Sequence, residues 1–301
     1  MASESEQSYS WAVDGTPEIK RIVVVGAGQM GSGIAQVCAS HGIITDLCDV
    51  DESRADVARA RIASSLEAAA RKGRLTAEAA AQALAKIHSV SLDAALPSAD
   101  LVIEAVTEDP KLKGALFARL DAALRSGVII ASNTSSIPIA SLAAHTQRPT
   151  QVIGMHFMNP VPVMQLVEIV VGKQTSEHTR DTISALATRL GKTVVISQDR
   201  AGFIVNRVLI PLLIEACLAL EEGVASAQDI DTGVKLGLNH PMGPLALADL
   251  IGLDTVLAIA EVMQQGLGSD KYAPPKILRD LVASGNLGRK TGRGFYTYES
   301  R

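Results

Sequence analysis

The hydropathy of the chain falls into two successive regimes. In the first two hundred residues, short β-branched apolar runs recur: Ile22-Val23-Val24-Val25, Ile43-Ile44-Thr45-Asp46-Leu47-Cys48, and residues 100–106, 127–132, 152–156, 166–170 and 193–197. Runs of this length bounded by turn formers predict buried strands, and the stretches between them carry helical periodicity. Strands alternating with helices predict an α/β fold class with a Rossmann-type, doubly wound, mostly parallel sheet and right-handed crossovers. One segment breaks the rhythm. Residues 52–85 are alanine-rich and helical throughout except near Gly73, which predicts a helical hairpin insertion standing out from the sheet. From Gly202 onward the strand signal vanishes and a 3.6-residue period takes over. Helices are expected over residues 203–222, 226–236 with Ser226 as N-cap, 254–265 and 275–284. The expected division is a flexible leader over 1–18 with Trp11 as a possible anchor, an α/β domain over 19–201, and an all-helical C-terminal domain over 202–301.

Glycine spacing adds chemistry to the first strand. Gly26-Ala27-Gly28-Gln29-Met30-Gly31 follows the strand and opens a helix over residues 29–40, the context that turns a weak G-x-G-x-x-G match into a dinucleotide fingerprint. Gly26 permits the tight turn, Gly28 admits a pyrophosphate against the backbone, and Gly31 lets helix and strand pack closely. Asp49, at the end of the second strand, can accept both ribose hydroxyls of an adenosine and favours NAD over NADP. Composition then narrows the class. The chain has 301 residues, 47% of them hydrophobic, and a formal net charge of −4 with no Lys/Arg block, so neither nucleic acid nor an anionic membrane is the expected partner. Three cysteines without a C-x-x-C pair read as reduced buried thiols, not as a disulfide framework or a metal site. The polar, acidic N-terminus resembles no export signal, and a cytoplasmic protein is expected.

Two further positions stand out. His156 lies at the end of an apolar strand before Asn159-Pro160, and Glu168 sits within the apolar run Leu166-Val167-Glu168-Ile169-Val170. A buried carboxylate is costly unless paired, and a histidine beside it makes an acid/base unit: the imidazole takes a hydroxyl proton and the carboxylate holds its tautomer. A turn histidine and a strand glutamate facing water fit the same pattern, since periodicity does not decide their facing. Ser132-Asn133-Thr134-Ser135-Ser136 supplies short hydroxyls after another strand, or a capped turn before Pro138. Asn206, on the first turns of a helix, suits a substrate carbonyl as well as a cap or an interdomain contact.

The chain resembles the 3-hydroxyacyl-CoA dehydrogenase family in six collinear blocks from about residue 20 to the C-terminus. They are the fingerprint through Ala35, Ser132 to Ser136, His156-Phe157-Met158-Asn159-Pro160-Val161-Pro162, Gly202-Phe203-Ile204-Val205-Asn206-Arg207, His240-Pro241-Met242-Gly243-Pro244, and Gly288-Arg289-Lys290-Thr291-Gly292-Arg293-Gly294-Phe295-Tyr296. The resemblance implies an NAD-dependent oxidoreductase that interconverts (S)-3-hydroxyacyl-CoA and 3-ketoacyl-CoA, with short acyl chains favoured. It implies His156 as the catalytic base, Glu168 as its partner, and Ser135 and Asn206 as substrate contacts. Gly26, Gly28, Gln29, Met30, Gly31, Asp49, Glu108, Lys113, Ser135, Asn159 and Lys290 are the implied cofactor contacts. Ser65 and Lys72 of the hairpin are implied near the CoA moiety, although Lys72 also fits plain solvated charge. A homodimer through the helical domain is implied too. Met158 and Gln165 depart from the family's common phenylalanine and lysine, which bears on acyl-pocket shape and local charge. L-gulonate 3-dehydrogenases share the histidine motif, and crystallin-like proteins keep the fold and NAD binding; the intact His156, Glu168, Ser135 and Asn206 set argues against the structural alternative.

Overall fold

The computed structural model describes residues 18–299, so Trp11 and the leader lie outside the described residues. The chain divides into two compact units after Asp199. The first is built on one eight-stranded sheet. Its elements are β1 (Arg21–Val25), α1 (Gln29–Ser40), β2 (Ile44–Cys48), α2 (Glu52–Arg71), α3 (Ala77–Ala85), β3 (Ile87–Ser89), α4 (Leu92–Ala95), β4 (Leu101–Glu104), α5 (Pro110–Ala123), β5 (Ile129–Ser132), α6 (Ile139–Ala143), β6 (Val152–Phe157), β7 (Leu166–Val171), α7 (Glu177–Arg189) and β8 (Thr193–Gln198). The spatial order is β3-β2-β1-β4-β5-β6-β7-β8. Every neighbouring pair is parallel except β6 and β7.

That exception differs from the strand-helix alternation expected across this part of the chain. Only residues 158–165 join β6 to β7, and a parallel crossover needs a dozen or more. The short connection turns the chain back on itself. The carboxyl ends of β1, β4, β5 and β6, which pair in parallel, share one edge of the sheet, where ligands bind in open α/β folds.

The hairpin of α2 and α3 does not stand clear of the sheet as expected. Ala55, Ala58, Ile62 and Leu66 form a buried stripe at helical spacing, joined by Ala80 and Ala83, and all belong to the same apolar core as the strands. Alanine is small enough to bring the helices against α1 and the β2–β3 edge. Asp51 caps α2 through the Ser53 amide, and Thr76 caps α3 through the Ala79 amide.

The second unit contains α8 (Val205–Glu221), α9 (Ala227–Gly237), α10 (Pro244–Ile251), α11 (Leu253–Leu267) and α12 (Lys276–Ala283). Ser226 caps α9 by accepting from the Asp229 amide. Two features depart from the periodicity. α8 begins at Val205, not at Phe203, because Gly202 and Phe203 take φ of +81° and +47°, a left-handed turn that no α-helix contains. The short α10, entered through Pro244 and closed by Gly252 at φ +102°, falls where no helix was expected. Leu213, Leu253, Ala260 and Met263 are among the residues at the centre of this unit's core. No described helix is long and apolar enough to cross a membrane.

Candidate active site

The fingerprint turn is sterically committed to glycine at two of its three positions. Gly26 has φ +108°, and a Cβ there would come within 2.5 Å of the Ala105 carbonyl oxygen; a Cβ on Gly31 would collide with the Gly26 carbonyl. At Gly28 a Cβ would meet nothing within 4 Å, so no contact within the protein requires glycine there. Gly28 is also the N-cap of α1 and brings no side-chain cap, which leaves the first helical N–H groups to an incoming anion. Gln29 and Met30 form the first turn; Gln29 Nε2 donates to Asn159 Oδ1 at 3.0 Å, and Met30 is half-buried against the core.

Asp49 closes one side of a 480 Å³ pocket that also takes in Gly26, Gly28, Arg54, Val106 and Thr107. Its Oδ2 accepts from the Ala27 amide at 2.8 Å, and Arg54 Nη1 lies 3.7 Å from its other oxygen. A carboxylate has about four acceptor sites, so the Ala27 bond fixes its direction and leaves capacity for ribose hydroxyls. These features fit a dinucleotide lying along the β1–α1 turn with its adenosine end toward Asp49.

His156 and Glu168 are brought together by the antiparallel pairing of β6 and β7, in which they are register partners. His156 Nδ1 lies 2.7 Å from Glu168 Oε2; Glu168 is fully buried and His156 is 7% exposed. A glutamate facing water is thereby ruled out. An ionised Glu168 accepts the Nδ1 proton, which leaves Nε2 as the basic nitrogen.

The turn after β5 is held by carboxylates. Glu108 Oε1 accepts from Thr134 Oγ1 at 2.6 Å, the Ser135 amide at 2.9 Å, the Ser136 amide at 3.1 Å and Ser136 Oγ at 2.9 Å. Burial works against the charge on Glu108, but the Lys113 ammonium and the Thr134 and Ser136 hydroxyls outweigh it and hold the carboxyl below its ordinary value of 4.5. Lys113, expected from the resemblance to contact a cofactor, is 1% exposed, with Nζ 2.7 Å from Glu104 and 3.0 Å from Glu108. Its ammonium is occupied inside the protein. Asn133 Oδ1 accepts from the Phe157 amide at 2.9 Å, tying this turn to the residue after His156.

Ser65 and Lys72 are exposed and line a second groove, of 940 Å³, shared with Gln29, Asn159, Arg61 and Lys192. Lys192 Nζ donates to the Val161 and Met164 carbonyls at 2.6 and 2.8 Å and so clamps the 158–165 connection. Asn206 and Lys290 belong to the helical unit. Asn206 is buried in the first turn of α8, and Lys290 Nζ bonds both oxygens of Asp254 at 2.5 and 2.6 Å. Sequence reasoning missed Glu104, Asn133 and Lys192. Glu104 carries the signal that singled out Glu168, a carboxylate within an apolar run.

A glycine-cradled helix N-terminus, an acidic side chain bonded to its turn and a buried histidine–glutamate pair in one mostly parallel sheet mark a dinucleotide-dependent oxidoreductase. Comparison with known proteins assigns the family. Residues 21–200 match the family described as 3-hydroxyacyl-CoA dehydrogenase, NAD binding domain, and residues 202–298 match 3-hydroxyacyl-CoA dehydrogenase, C-terminal domain. The chain belongs to the 3-hydroxyacyl-CoA dehydrogenase family, and NAD is its cofactor. A Bacillus subtilis (strain 168) protein named "Probable 3-hydroxybutyryl-CoA dehydrogenase" is 50% identical over 287 residues, 94% of this chain and 99% of that protein. The 3-hydroxybutyryl-CoA dehydrogenase of Bradyrhizobium diazoefficiens is 46% identical, over 93% of this chain and 96% of that protein. The crystal structure of (S)-3-hydroxybutyryl-CoA dehydrogenase from Ralstonia eutropha superposes with a TM-score of 0.91 at 48% identity, covering 94% of this chain and all of that one.

Proposed function

We propose that this enzyme interconverts (S)-3-hydroxybutyryl-CoA and acetoacetyl-CoA, with His156 as the base and Glu168 as its partner. The observation that carries the mechanism is the 2.7 Å contact between His156 Nδ1 and a fully buried Glu168. The short-chain substrate is supported by the names of the relatives above. NAD supplies the hydride acceptor for the carbinol carbon. In oxidation, neutral His156 takes the hydroxyl proton at Nε2, and Glu168 stabilises the imidazolium through Nδ1. In reduction, the imidazolium returns that proton to the carbonyl oxygen. Ser135 and Asn206 are the proposed donors to the substrate oxygen, with Ser135 set in place by Glu108. Ser65 and Lys72 are the proposed CoA contacts, supported by their exposure on one groove and by the attraction of a lysine for phosphate.

Because oxidation needs the free base and reduction the imidazolium, the oxidation rate is expected to rise with pH where the reduction rate falls. The test is NADH consumption with acetoacetyl-CoA, longer 3-ketoacyl-CoAs and the corresponding gulonate reaction side by side. Turnover is expected to be strongest with acetoacetyl-CoA. Absence of turnover on every CoA ester overturns the reading. A homodimer through the helical unit belongs to the same proposal, supported by the exposure of Val208, Leu236 and Leu238 at 69, 79 and 61%. Sedimentation of the full chain as a monomer at micromolar concentration would refute it. A cytoplasmic location is supported by three buried free thiols, the state that a reducing compartment keeps.

A further inference from the structure

One buried charge of the α/β unit is held by three donors and is not used by the proposed reaction. Glu104 ends β4, fully buried, opposite Ser132 at the end of β5. Its Oε1 accepts from the Val106 amide and from Lys113 Nζ, each at 2.7 Å, and its Oε2 accepts from Ser132 Oγ at 2.5 Å. Ser132 Oγ accepts in turn from the Thr134 amide at 3.2 Å, and Thr134 Oγ1 donates to Glu108 Oε1 at 2.6 Å. Glu108 Oε2 meets Lys113 Nζ at 3.0 Å. The contacts close on themselves: Glu104, Ser132, Thr134, Glu108, Lys113 and back to Glu104.

Such a ring is more constraining than its separate bonds. A buried ammonium facing one carboxylate can follow that carboxylate, but Lys113 is held between two and has little room to move toward either without abandoning the other. One carboxylate is anchored in the sheet, through β4 and the Val106 amide. The other grips the turn through the Ser135 and Ser136 amides. The main chain of Glu104 adds a second hold, since its carbonyl accepts from the Asn133 amide at 2.8 Å and Asn133 Oδ1 accepts from the Phe157 amide beside His156. Both ends of the turn are therefore referred to the same residue.

We propose that Glu104 is a positioning residue for the reaction: through the closed ring with Ser132, Thr134, Glu108 and Lys113 it sets where the turn holds Ser135. This rests on the reading of Ser135 as a donor to the substrate oxygen. Small displacements of a reacting group are expensive in rate, whereas the fingerprint that holds the dinucleotide lies on a different turn.

Two variants cut the ring differently. Glu104→Gln keeps the shape and removes the charge that anchors Lys113, and Ser132→Ala opens the other arm without changing charge. Amide hydrogen exchange at residues 134–136 is expected to quicken about tenfold in both, with the core strands unchanged. For turnover of acetoacetyl-CoA, kcat is expected to fall about tenfold while the dissociation constant for NADH changes by less than about threefold. Each variant is then combined with Ser135→Ala. A residue acting through Ser135 adds nothing once the hydroxyl is gone, so the double variants should be no slower than Ser135→Ala alone. Unchanged exchange, or losses that multiply in the double variants, overturns the proposal. If the unmodified enzyme turned over no CoA ester, the functional reading would fall, and the exchange measurement would still decide whether Glu104 holds the turn.

Discussion

Buried carboxylates occur in both units, and they are used differently. In the helical unit Asp231 accepts from the Leu245 and Ala246 amides at 2.8 and 2.9 Å and from the Tyr296 hydroxyl at 2.8 Å. Asp249 accepts from the Phe295 and Tyr296 amides, each at 3.0 Å, and from the Tyr298 hydroxyl at 2.9 Å. These donors do not titrate near neutrality: burial and the neighbouring aspartates raise both phenols, Tyr298 to about 12. In the α/β unit Glu168 instead faces an imidazole, whose proton can leave. A carboxylate surrounded by fixed donors pins a segment of chain. One set against a base can take part in proton transfer.

The difference is tested most sharply by removing each partner. His156→Ala is expected to lower kcat by about 10²- to 10⁴-fold, the usual contribution of a positioned general base, with NADH affinity nearly unchanged. Glu168→Gln should lower the rate in both directions. A His156→Ala enzyme within a few-fold of the unmodified rate would move the proton acceptor elsewhere. Asp231→Ala should act on stability instead, by roughly 2–4 kcal/mol for three stranded donors, with kcat of the folded fraction preserved. Urea unfolding alongside kcat separates the two behaviours. If Asp231→Ala left stability intact while abolishing turnover, the contrast between the units would collapse.

Asp49 lies between these extremes, bound to one fixed donor and open to a ligand. At an effective dielectric near 20, two unit charges about 4 Å apart repel by roughly 4 kcal/mol before screening, so a 2′-phosphate is disfavoured there. NAD should be used at least about tenfold more efficiently than NADP, and Asp49→Ala should narrow that gap by removing the carboxylate and leaving the charge of Arg54, 3.7 Å from it, unopposed. Equal efficiencies in the unmodified enzyme would refute the role of Asp49.

Smaller effects follow from titration. Glu108 has a native pKa below its ordinary value, so the unfolded state binds the proton first as the solution is acidified. Its stabilisation is complete above the ordinary carboxylate range and is lost as the pH falls through the native value. The difference in thermal midpoint between the unmodified enzyme and Glu108→Gln should therefore shrink between pH 6 and pH 3; a constant difference would show that charge is not what Glu108 contributes. Burial pushes Cys38, Cys48 and Cys217 up to about 12, so a thiol reagent at pH 8 should label them only after denaturation. Rapid labelling of the native protein would contradict their burial.

Local rules were enough to read much of this protein from its residues. Gly31 is required by the Gly26 carbonyl of the same turn and Gly26 by its φ of +108° as well as by Ala105 beyond that turn, while strand and helix periods are local, so the α/β unit, the hairpin and the helical unit were legible. So was the anomaly of Glu168, because a charge in an apolar run demands a partner. Residue chemistry and the family resemblance pointed to His156, but periodicity did not fix the facing of either side chain. That facing was decided by the antiparallel return of β7, which follows from a connection too short to cross over and sets His156 opposite Glu168. The alanine stripe of α2 said helix, but only packing against α1 and β3 laid the hairpin along the sheet. The left-handed turn at Gly202 and Phe203 displaced the start of α8 in a way that periodicity cannot register. Glu104 shows the limit most clearly. Its partners Lys113 and Ser132 are nine and twenty-eight residues away in sequence, and hydrogen bonds across neighbouring strands and a helix close a ring that no single stretch of the chain contains.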